Sequence, residues 1–521
     1  MTELDRRAFL ARSAAATAGA ATLGGPFAGF LAAPAGARHR RPGDPPAALV
    51  PTPDEADGVV RLALPDGFRY RSFQQSSLAN PITLDDGSKL PGRHDGMAAF
   101  PARRHYDRHH DDRGDWRGRG DDHRHSRGRG SVLVRNHEEN GSLVGGAFGL
   151  GVAPVYDSAA KGGTSTIHVT RKGEVLESFA SLGGTQMNCS GGPMPWGSWV
   201  TCEETVNGND VGDDFTRGSA PPTTYIQNAR LTQRHGYIFE VPAYGEASAE
   251  PIRHAGRFAH EAVAFDPRGG SLYLTEDNFG FASGFYRYDP PVSPWRAGRL
   301  VDGGKLWMLK VKGETNRDLS GSFANGTSFP VEWVRIDEPD KDFGAPVGGV
   351  PNATNDEAIV FVGDQGRAKG AAIFSRLEGA VYDHGWVFWT STQGGAQVAP
   401  TPPSGFGDGA GQIWGLDIKR QRLHMLYESP SPDILDFPDN VTTSERGTIV
   451  ICEDGGNGNF LRGLSRHGQL FDIAQNKIAG EENDEFAGST FSHDGRTLYV
   501  NIQDSTGLSF AIWGPWGRIG V

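Results

Sequence analysis

A residue type that could bind metal recurs at nearly the same place in a short repeating pattern. His260-Glu261-Ala262-Val263-Ala264-Phe265 is followed by a Pro-Arg-Gly-Gly turn and then by Leu272-Tyr273-Leu274-Thr275-Glu276-Asp277. Asp439-Asn440-Val441-Thr442-Thr443 leads through a Glu-Arg-Gly turn into Ile449-Val450-Ile451-Cys452-Glu453-Asp454. Glu485-Phe486-Ala487-Gly488 leads through His-Asp-Gly into Thr497-Leu498-Tyr499-Val500-Asn501. Fainter copies begin at Glu378, at Cys189 and at Asp95. The opening residues are therefore Asp95, Cys189, Glu261, Glu378, Asn440 and Glu485. Carboxylates in that number are hard oxygen ligands and point to calcium or a similar cation. A thiolate among them is odd for calcium alone and points to a transition metal such as iron beside it. So many acids at one place stay ionised only where cations neutralise them.

Each copy is a short strand, a polar turn and a second strand, which is the pattern of a β-hairpin. Repetition at this scale means a propeller or a solenoid. Six units close naturally into an all-β, six-bladed β-propeller, with a metal site at one end of its central channel. The first strand of a blade lines the channel, so the opening residues would share one rim. The second strand returns to the same face about 4.8 Å away. The acidic pairs that end these strands (Glu203/Glu204, Glu276/Asp277, Glu453/Asp454) would stand one shell outside the ring. Cys202 and Cys452 occupy second-strand positions and read as small buried hydrophobes.

The chain has 521 residues, with 73 Gly, 33 Pro and 11 Trp, and few long helical periodicities. Such a composition suits one large β body packed by aromatics rather than several domains. The net charge of −12 argues against nucleic-acid binding. It also means that a phosphorylated substrate would need bound metal to reverse the local field. Three cysteines imply no disulfide framework. Nothing marks an oligomerisation surface, and a closed propeller is expected to be a monomer.

Residues 1–37 read as a twin-arginine signal. Asp5-Arg6-Arg7-Ala8-Phe9-Leu10 precedes an Ala/Gly-rich stretch that ends in Ala35-Gly36-Ala37, an A-x-A cleavage pattern. The expectation is export by the twin-arginine translocase, already folded, to the periplasm or beyond, with no membrane contact after the signal is removed. Residues 38–56 read as a flexible Pro/Ala/Arg linker, and the propeller is expected over 57–521. Residues 102–130 are low-complexity Arg/His/Asp/Gly and read as a disordered insertion inside the first hairpin. The long connections 205–235 and 312–356 are expected to form loops or small caps over one face.

Familiar nucleophile motifs are missing: there is no G-x-S-x-G elbow, no Walker A loop and no H-E-x-x-H. Any chemistry would rest on a metal-bound oxygen, with an arginine valuable for a phosphate group. Arg376 lies two residues before Glu378 and shares its strand face, which makes it the candidate.

The stretch from Asn188 through Cys189-Ser190-Gly191-Gly192-Pro193-Met194-Pro195-Trp196-Gly197 to Glu203-Glu204 resembles the signature of the PhoX-type alkaline phosphatases. So do His94-Asp95-Gly96-Met97, Asn136-His137-Glu138, Gly256-Arg257-Phe258-Ala259-His260-Glu261, Pro438-Asp439-Asn440 and Glu485-Phe486-Ala487-Gly488. The resemblance implies an exported six-bladed propeller with an iron–calcium cluster, hydrolysing small phosphomonoesters through a cluster-bound oxygen. It implies that Cys189 is the thiolate ligand to ferric iron and that Glu204 and Glu261 are further ligands. Glu378 and Glu485 would bind calcium or bridge, and Arg376 would hold the phosphate. One departure is Arg376-Leu377-Glu378-Gly379, which stands where the best-known branch has Arg-Pro-Glu-Trp. Two other classes remain open. One is a calcium-dependent propeller hydrolase of lactones or phosphotriesters. The other is a non-catalytic propeller that binds metal or phosphate.

Overall fold

The computed structural model describes residues 48–77, 79–102, 130–140, 146–214, 226–398 and 405–521. Short runs of branched and aromatic residues form strands, and glycine or aspartate turns reverse them. The strands make six antiparallel blades. The innermost strands are His94–Pro101, Asn188–Met194, His260–Phe265, Leu377–Asp383, Pro438–Thr443 and Glu485–Phe491, in blades 1 to 6. Each innermost strand lies against the next, and that of blade 6 returns to blade 1, so the ring closes. The architecture is the six-bladed propeller expected from the repeat.

Two features join the blades beyond that pattern. The fourth strand of blade 6 is Arg69–Ser77 from the N-terminal part of the chain, which pairs with Thr506–Trp513. The chain thus closes its own ring with its two ends. Strand Ser328–Arg335 pairs with the outer strands of both blade 3 and blade 4 and fuses them into one nine-stranded sheet. Among the described residues blade 2 has three strands, and residues 204–214 and 226–237 lie between its second and third.

A blade is too thin to bury its own side chains, so the core lies between blades. One apolar cluster fills each of the six interfaces. Between blades 3 and 4, Phe285 stacks on Trp389 at 3.9 Å, and Trp414 packs beside them. Each fully buried apolar side chain contributes roughly 1.5–3 kcal/mol relative to exposure, so the interfaces carry the stability of the ring.

Several expectations need revision. Residues 49–53, inside the stretch read as linker, form strand Leu49–Pro53, which pairs with Val60–Pro65 at the outer edge of blade 5. Its two prolines sit on an edge, where a missing N–H donor costs no ladder bond. Residues 312–356 include strand Ser328–Arg335 and lead into helix Asn355–Arg367. That helix opens with a capping box: Glu357 N donates to Thr354 Oγ1 and Thr354 N donates to Glu357 Oε2. It packs Ala358 against Val206, Val211 and Ala353, so the described parts of the two long connections pack together. The signal in 1–37, residues 38–47 of the linker and 103–129 of the insertion lie outside the described residues. The flanks of that insertion, Pro101 and Ser131, pair at the end of their hairpin opposite to His94 and His137.

All six innermost strands share one irregularity. His260 pairs with Glu276 and Val263 with Leu274, so three steps on one strand meet two on the other. The same one-residue bulge recurs in the other five blades. A bulge turns a side chain out of the strand's regular alternation. The bulged pairs are Asp95-Gly96, Cys189-Ser190, Glu261-Ala262, Glu378-Gly379, Asp439-Asn440 and Gly488-Ser489. A Cβ on Gly379 would come to 2.6 Å from Val441 N and 2.7 Å from Asn440 Cα of the next blade. Gly379→Ala therefore forces backbone apart and is expected to destabilise the protein by about 1–3 kcal/mol. Thermal or urea unfolding would show it, and unchanged stability would mean that the inner strands are not in this close contact.

Candidate metal centre

Five of the six bulges place their first residues, Asp95, Cys189, Glu261, Glu378 and Asp439, in the lining of a cavity of about 470 Å³ at one end of the channel. Among the described residues, its lining holds twelve carboxyl groups and two basic groups, Arg93 and Arg376. Two sets of potential ligand atoms lie within 4.8 Å of one another: Cys189, Glu204 and Glu261, and then Glu261, Glu378 and Asp439. Glu261 belongs to both. The first set combines a thiol with two carboxyls, and the second is all carboxyl.

The backbone under these side chains is locked from the preceding blade. Asn136 Nδ2 donates to Cys189 O at 2.9 Å, Thr275 Oγ1 to Glu378 O at 2.6 Å, Thr390 Oγ1 to Asp439 O at 2.7 Å and Asn501 Nδ2 to Asp95 O at 2.6 Å. Each donor lies on the second strand of its blade and each acceptor is a cavity residue of the next. The ligand positions are thus set by neighbouring strands rather than by the side chains themselves.

The register differs from the sequence reading in two blades. Asp439, not Asn440, stands at the position of Glu261 and Glu378. Asn440 supports it: Asn440 Nδ2 donates to Asp439 Oδ1 at 2.7 Å, and Asn440 Oδ1 accepts from Gly488 N at 2.6 Å. Blade 6 offers Gly488 at this level. Glu485 stands three residues earlier, paired with Gln503, and still lines the cavity. Gln503 Nε2 in turn donates to Asp95 Oδ2 at 2.7 Å, while Asp95 Oδ1 is buried without a hydrogen-bond partner among the described residues. Among the singled-out residues, Asp95, Cys189, Glu204, Glu261, Arg376, Glu378 and Glu485 line the cavity, and Asn440 does not.

The acidic pairs divide by strand alternation. Their first members turn into the blades as anchors. Glu203 accepts from His235 at 2.6 Å and from Gly236 N at 2.9 Å. Glu276 accepts from Gly284 N and Tyr286 OH, both at 2.8 Å, and Glu453 accepts from Arg462 Nε at 2.8 Å. Their second members, Glu204, Asp277 and Asp454, face the cavity with Glu138 of blade 1. The histidines are structural as well. His137 bonds Gly92 O and Ser165 Oγ, and His260 Nε2 bonds Gly256 O.

Burial, followed by the charges of neighbouring acids, pushes the carboxyls upward. Glu261 is raised well above the ordinary range by burial, Glu378 and Asp439. Glu378 is raised by burial, Asp277 and Asp439, and Glu204 by burial, Asp277 and Glu138. Burial and Asp454 push Asp439 up to about 8. The Cys189 thiol is raised by burial and then by Glu261 and Glu204. Without cations this cavity keeps protons, and with cations it can hold them as ligands in place of those protons.

Arg376 answers part of the negative charge. Its Nη2 donates to Asp277 Oδ2 at 2.8 Å and to Glu378 Oε1 at 3.0 Å, and its Nε reaches both Asp277 oxygens at 3.2 Å. Burial opposes its charge, but Asp277 and Glu378 hold the guanidinium firmly protonated. The sequence reading did not single out Asp439 or Arg93 as site residues. The signal for Asp439 was present: Val441 follows it by two, as Val263 follows Glu261 and Ala380 follows Glu378.

The family profile described as Alkaline phosphatase PhoX matches residues 172–506. The structure of Pseudomonas fluorescens PhoX in complex with vanadate, a transition state analogue, aligns over 91% of this chain and 98% of that chain. The identity is 16% and the TM-score 0.56, a likeness of fold. A gluconolactonase from Xanthomonas campestris aligns over 91% of this chain and 99% of its own, at 11% identity and a TM-score of 0.36, too distant to bear on function. No curated protein sequence matches the chain. With a match that spans well over half of its length, this chain belongs to the PhoX alkaline phosphatase family.

Proposed function

We propose that this protein is an exported, metal-dependent phosphatase of small phosphomonoesters, with iron and calcium as its cations. The observation that carries the reading is Glu261, shared between a thiol-containing and an all-carboxylate ligand set at the floor of one cavity. The donor chemistry fits the cations: a thiolate suits iron and carboxylates suit calcium. The unpartnered Oδ1 of Asp95 fits a further ligand. Cys189, Glu204 and Glu261 would hold iron, and Glu261, Glu378 and Asp439 would hold calcium, with Asp95 and Glu485 beside them. When bound, the cations supply the Lewis acidity and the activated oxygen that phosphoester hydrolysis needs.

The chain's own residues do the rest. Among the described residues, the cavity lining includes no serine, threonine, tyrosine, lysine or histidine, so no side-chain hydroxyl or imidazole competes as nucleophile. Arg376 binds phosphate oxygens. Asp277 and Glu378 fix two of its nitrogens, which orients the planar guanidinium before substrate arrives. Phe279 lies under it at 5.1 Å. Met187 and Ile359 give the entrance an apolar side, which accommodates the alcohol portion of an ester.

Export would follow from the twin-arginine leader. Among the described residues, no helix is long and apolar enough to cross a membrane. Replacing Arg6 and Arg7 by lysine is expected to keep the precursor in the cytoplasm of a twin-arginine-competent host. Unimpeded export of that variant would remove this part of the proposal.

Cys189→Ser is expected to lose iron by elemental analysis. Hydrolysis of a chromogenic phosphomonoester should fall by roughly a hundredfold or more, as loss of a metal ligand does. Full iron and full activity in the variant would sink the reading. Calcium without iron in the folded wild type would favour a calcium-only hydrolase.

The charge balance predicts a pH signature. The raised carboxyls bind more protons in the folded state than in the unfolded state from about pH 4 upward, to about 8 for Asp439. The stability of chelated protein should therefore fall as pH rises from 5 to 8. Bound cations replace the protons and should remove most of that fall. The measurement is the difference in melting temperature between loaded and chelated protein, and a difference that does not widen with pH would contradict the charge balance.

A further inference from the structure

We infer that Arg93 is a second substrate-holding residue, set across the cavity from Arg376, and that the pair selects doubly ionised phosphomonoesters over diesters. This rests on the phosphatase reading of the site. Arg93 and Arg376 are the two basic groups among the described residues of the lining. They belong to blades 1 and 4, which are opposite each other in a ring of six.

Their local construction is the same. Arg93-His94-Asp95-Gly96 repeats as Arg376-Leu377-Glu378-Gly379. Each arginine directly precedes its innermost strand. Each has a left-handed backbone, with φ of 44° and 38°. A non-glycine residue persists in that region where its surroundings over-determine it, and such places cluster at functional sites. Each guanidinium is fixed by cavity acids. Arg93 Nε donates to Glu138 O at 2.8 Å, and its Nη2 donates to the Glu138 carboxylate. Arg376 uses Nε and Nη2 on Asp277 and Glu378. In both residues Nη1 takes no part in these bonds. The Arg93 side chain is 38% exposed and that of Arg376 13%, so Arg93 is the more open of the two to an incoming anion. The charge of Asp454, on blade 5, is influenced by both guanidinium groups, so both act on the same space.

The chemistry then sets a preference. A phosphomonoester above its second pKa near 6 is a dianion with three terminal oxygens. One such group offers each arginine an oxygen and still leaves one for the cations. A diester carries a single charge and two terminal oxygens, so one arginine loses its partner.

The test uses full-length, metal-loaded protein with Arg93→Gln, Arg93→Lys and Glu138→Gln. KM and kcat are measured for p-nitrophenyl phosphate and bis-(p-nitrophenyl) phosphate, together with inhibition by inorganic phosphate and metal content. With Arg93→Gln, the monoester KM and the phosphate inhibition constant are expected to rise by roughly tenfold to a hundredfold, the value of a charge-assisted hydrogen bond. Metal content should hold, the monoester-to-diester ratio of kcat/KM should drop about as far, and Arg93→Lys should recover part of the loss. Unchanged phosphate inhibition in Arg93→Gln would overturn the inference. So would a Glu138→Gln variant that reproduces the whole effect, since Arg93 would then act only as a partner of Glu138. If the wild type hydrolyses neither ester, the phosphatase reading fails by itself. Calorimetry of phosphate binding to wild type and Arg93→Gln then decides the inference: weaker binding in the variant supports it and equal binding overturns it.

Discussion

The site depends on how closely the innermost strands approach one another. A Cβ on Gly96 would come to 2.7 Å from Cys189 O, one on Gly192 to 1.8 Å from Val263 O and one on Gly488 to 2.3 Å from Asp95 O. At these points backbone meets backbone across a blade boundary. Bulges alone would turn the acids inward, but the contact brings them within ligand distance of one another. The asparagine and threonine hydrogen bonds from each preceding blade then fix the carbonyls of the same residues. A carboxylate cluster without this support would spread apart to lower its repulsion. Here it cannot, because spreading would open the apolar interfaces that hold the ring together.

Repulsion stored in this way has a function. The six interface clusters are large enough to carry an unfavourable centre. Among the described residues of the lining, twelve carboxyls against two guanidinium groups leave a deficit of positive charge, which protons fill where cations are absent. Metal cations would take the place of those protons, so the charge distribution of the fold favours metal occupancy. The arginines serve the same balance. Each is held by acids that line the cavity, which keeps it charged and oriented beside a cluster that would otherwise draw it in.

Much of this was legible in the sequence because hairpins repeat in one dimension. The alternation around Glu261, Glu378 and Cys189 located the innermost strands, and closure into six followed. Asn440 stands one residue beyond the ligand position because the bulge shifts register by one, which polarity alone does not mark. Val441, equivalent to Val263, marked the correct frame. Blade 6 concealed its difference because Glu485 is acidic, yet its register partner is Gln503 and the bulge holds Gly488. The fourth strand of blade 6 comes from residues 69–77, more than four hundred residues from its partner, and no local pattern encodes such a pairing. The division of Glu203 from Glu204, and of Glu276 from Asp277, follows from strand alternation and could have been stated in advance. Arg93 has no local mark beyond the recurrence of Arg-x-acid-Gly, which becomes significant only when blades 1 and 4 are seen opposite each other.

Blade 6 also breaks the symmetry that the other five establish. A side chain at Gly488 has no room against Asp95 O, so this blade cannot supply a donor at the floor. Its acid, Glu485, comes from a level further along the strand, opposite the glutamine that holds Asp95. The close ligand sets therefore come from blades 2 to 5, and Glu261 of blade 3 stands at their middle. Cations held by these sets would be ligated from blades 2 to 5, with Glu261 shared between the two sets. Blades 6 and 1 line the rest of the cavity, with Arg93, Asp95, Glu138, Asp484, Glu485 and Gln503 among their residues. Arg376 of blade 4 and Arg93 of blade 1 belong to opposite blades of the ring and line the same cavity. A ring with six equivalent donors would place its cations on the axis and offer a phosphate the same surface in every direction. The glycine of blade 6 thus makes the donor set unequal around the ring, an asymmetry that the in-line reaction of the proposed function would require.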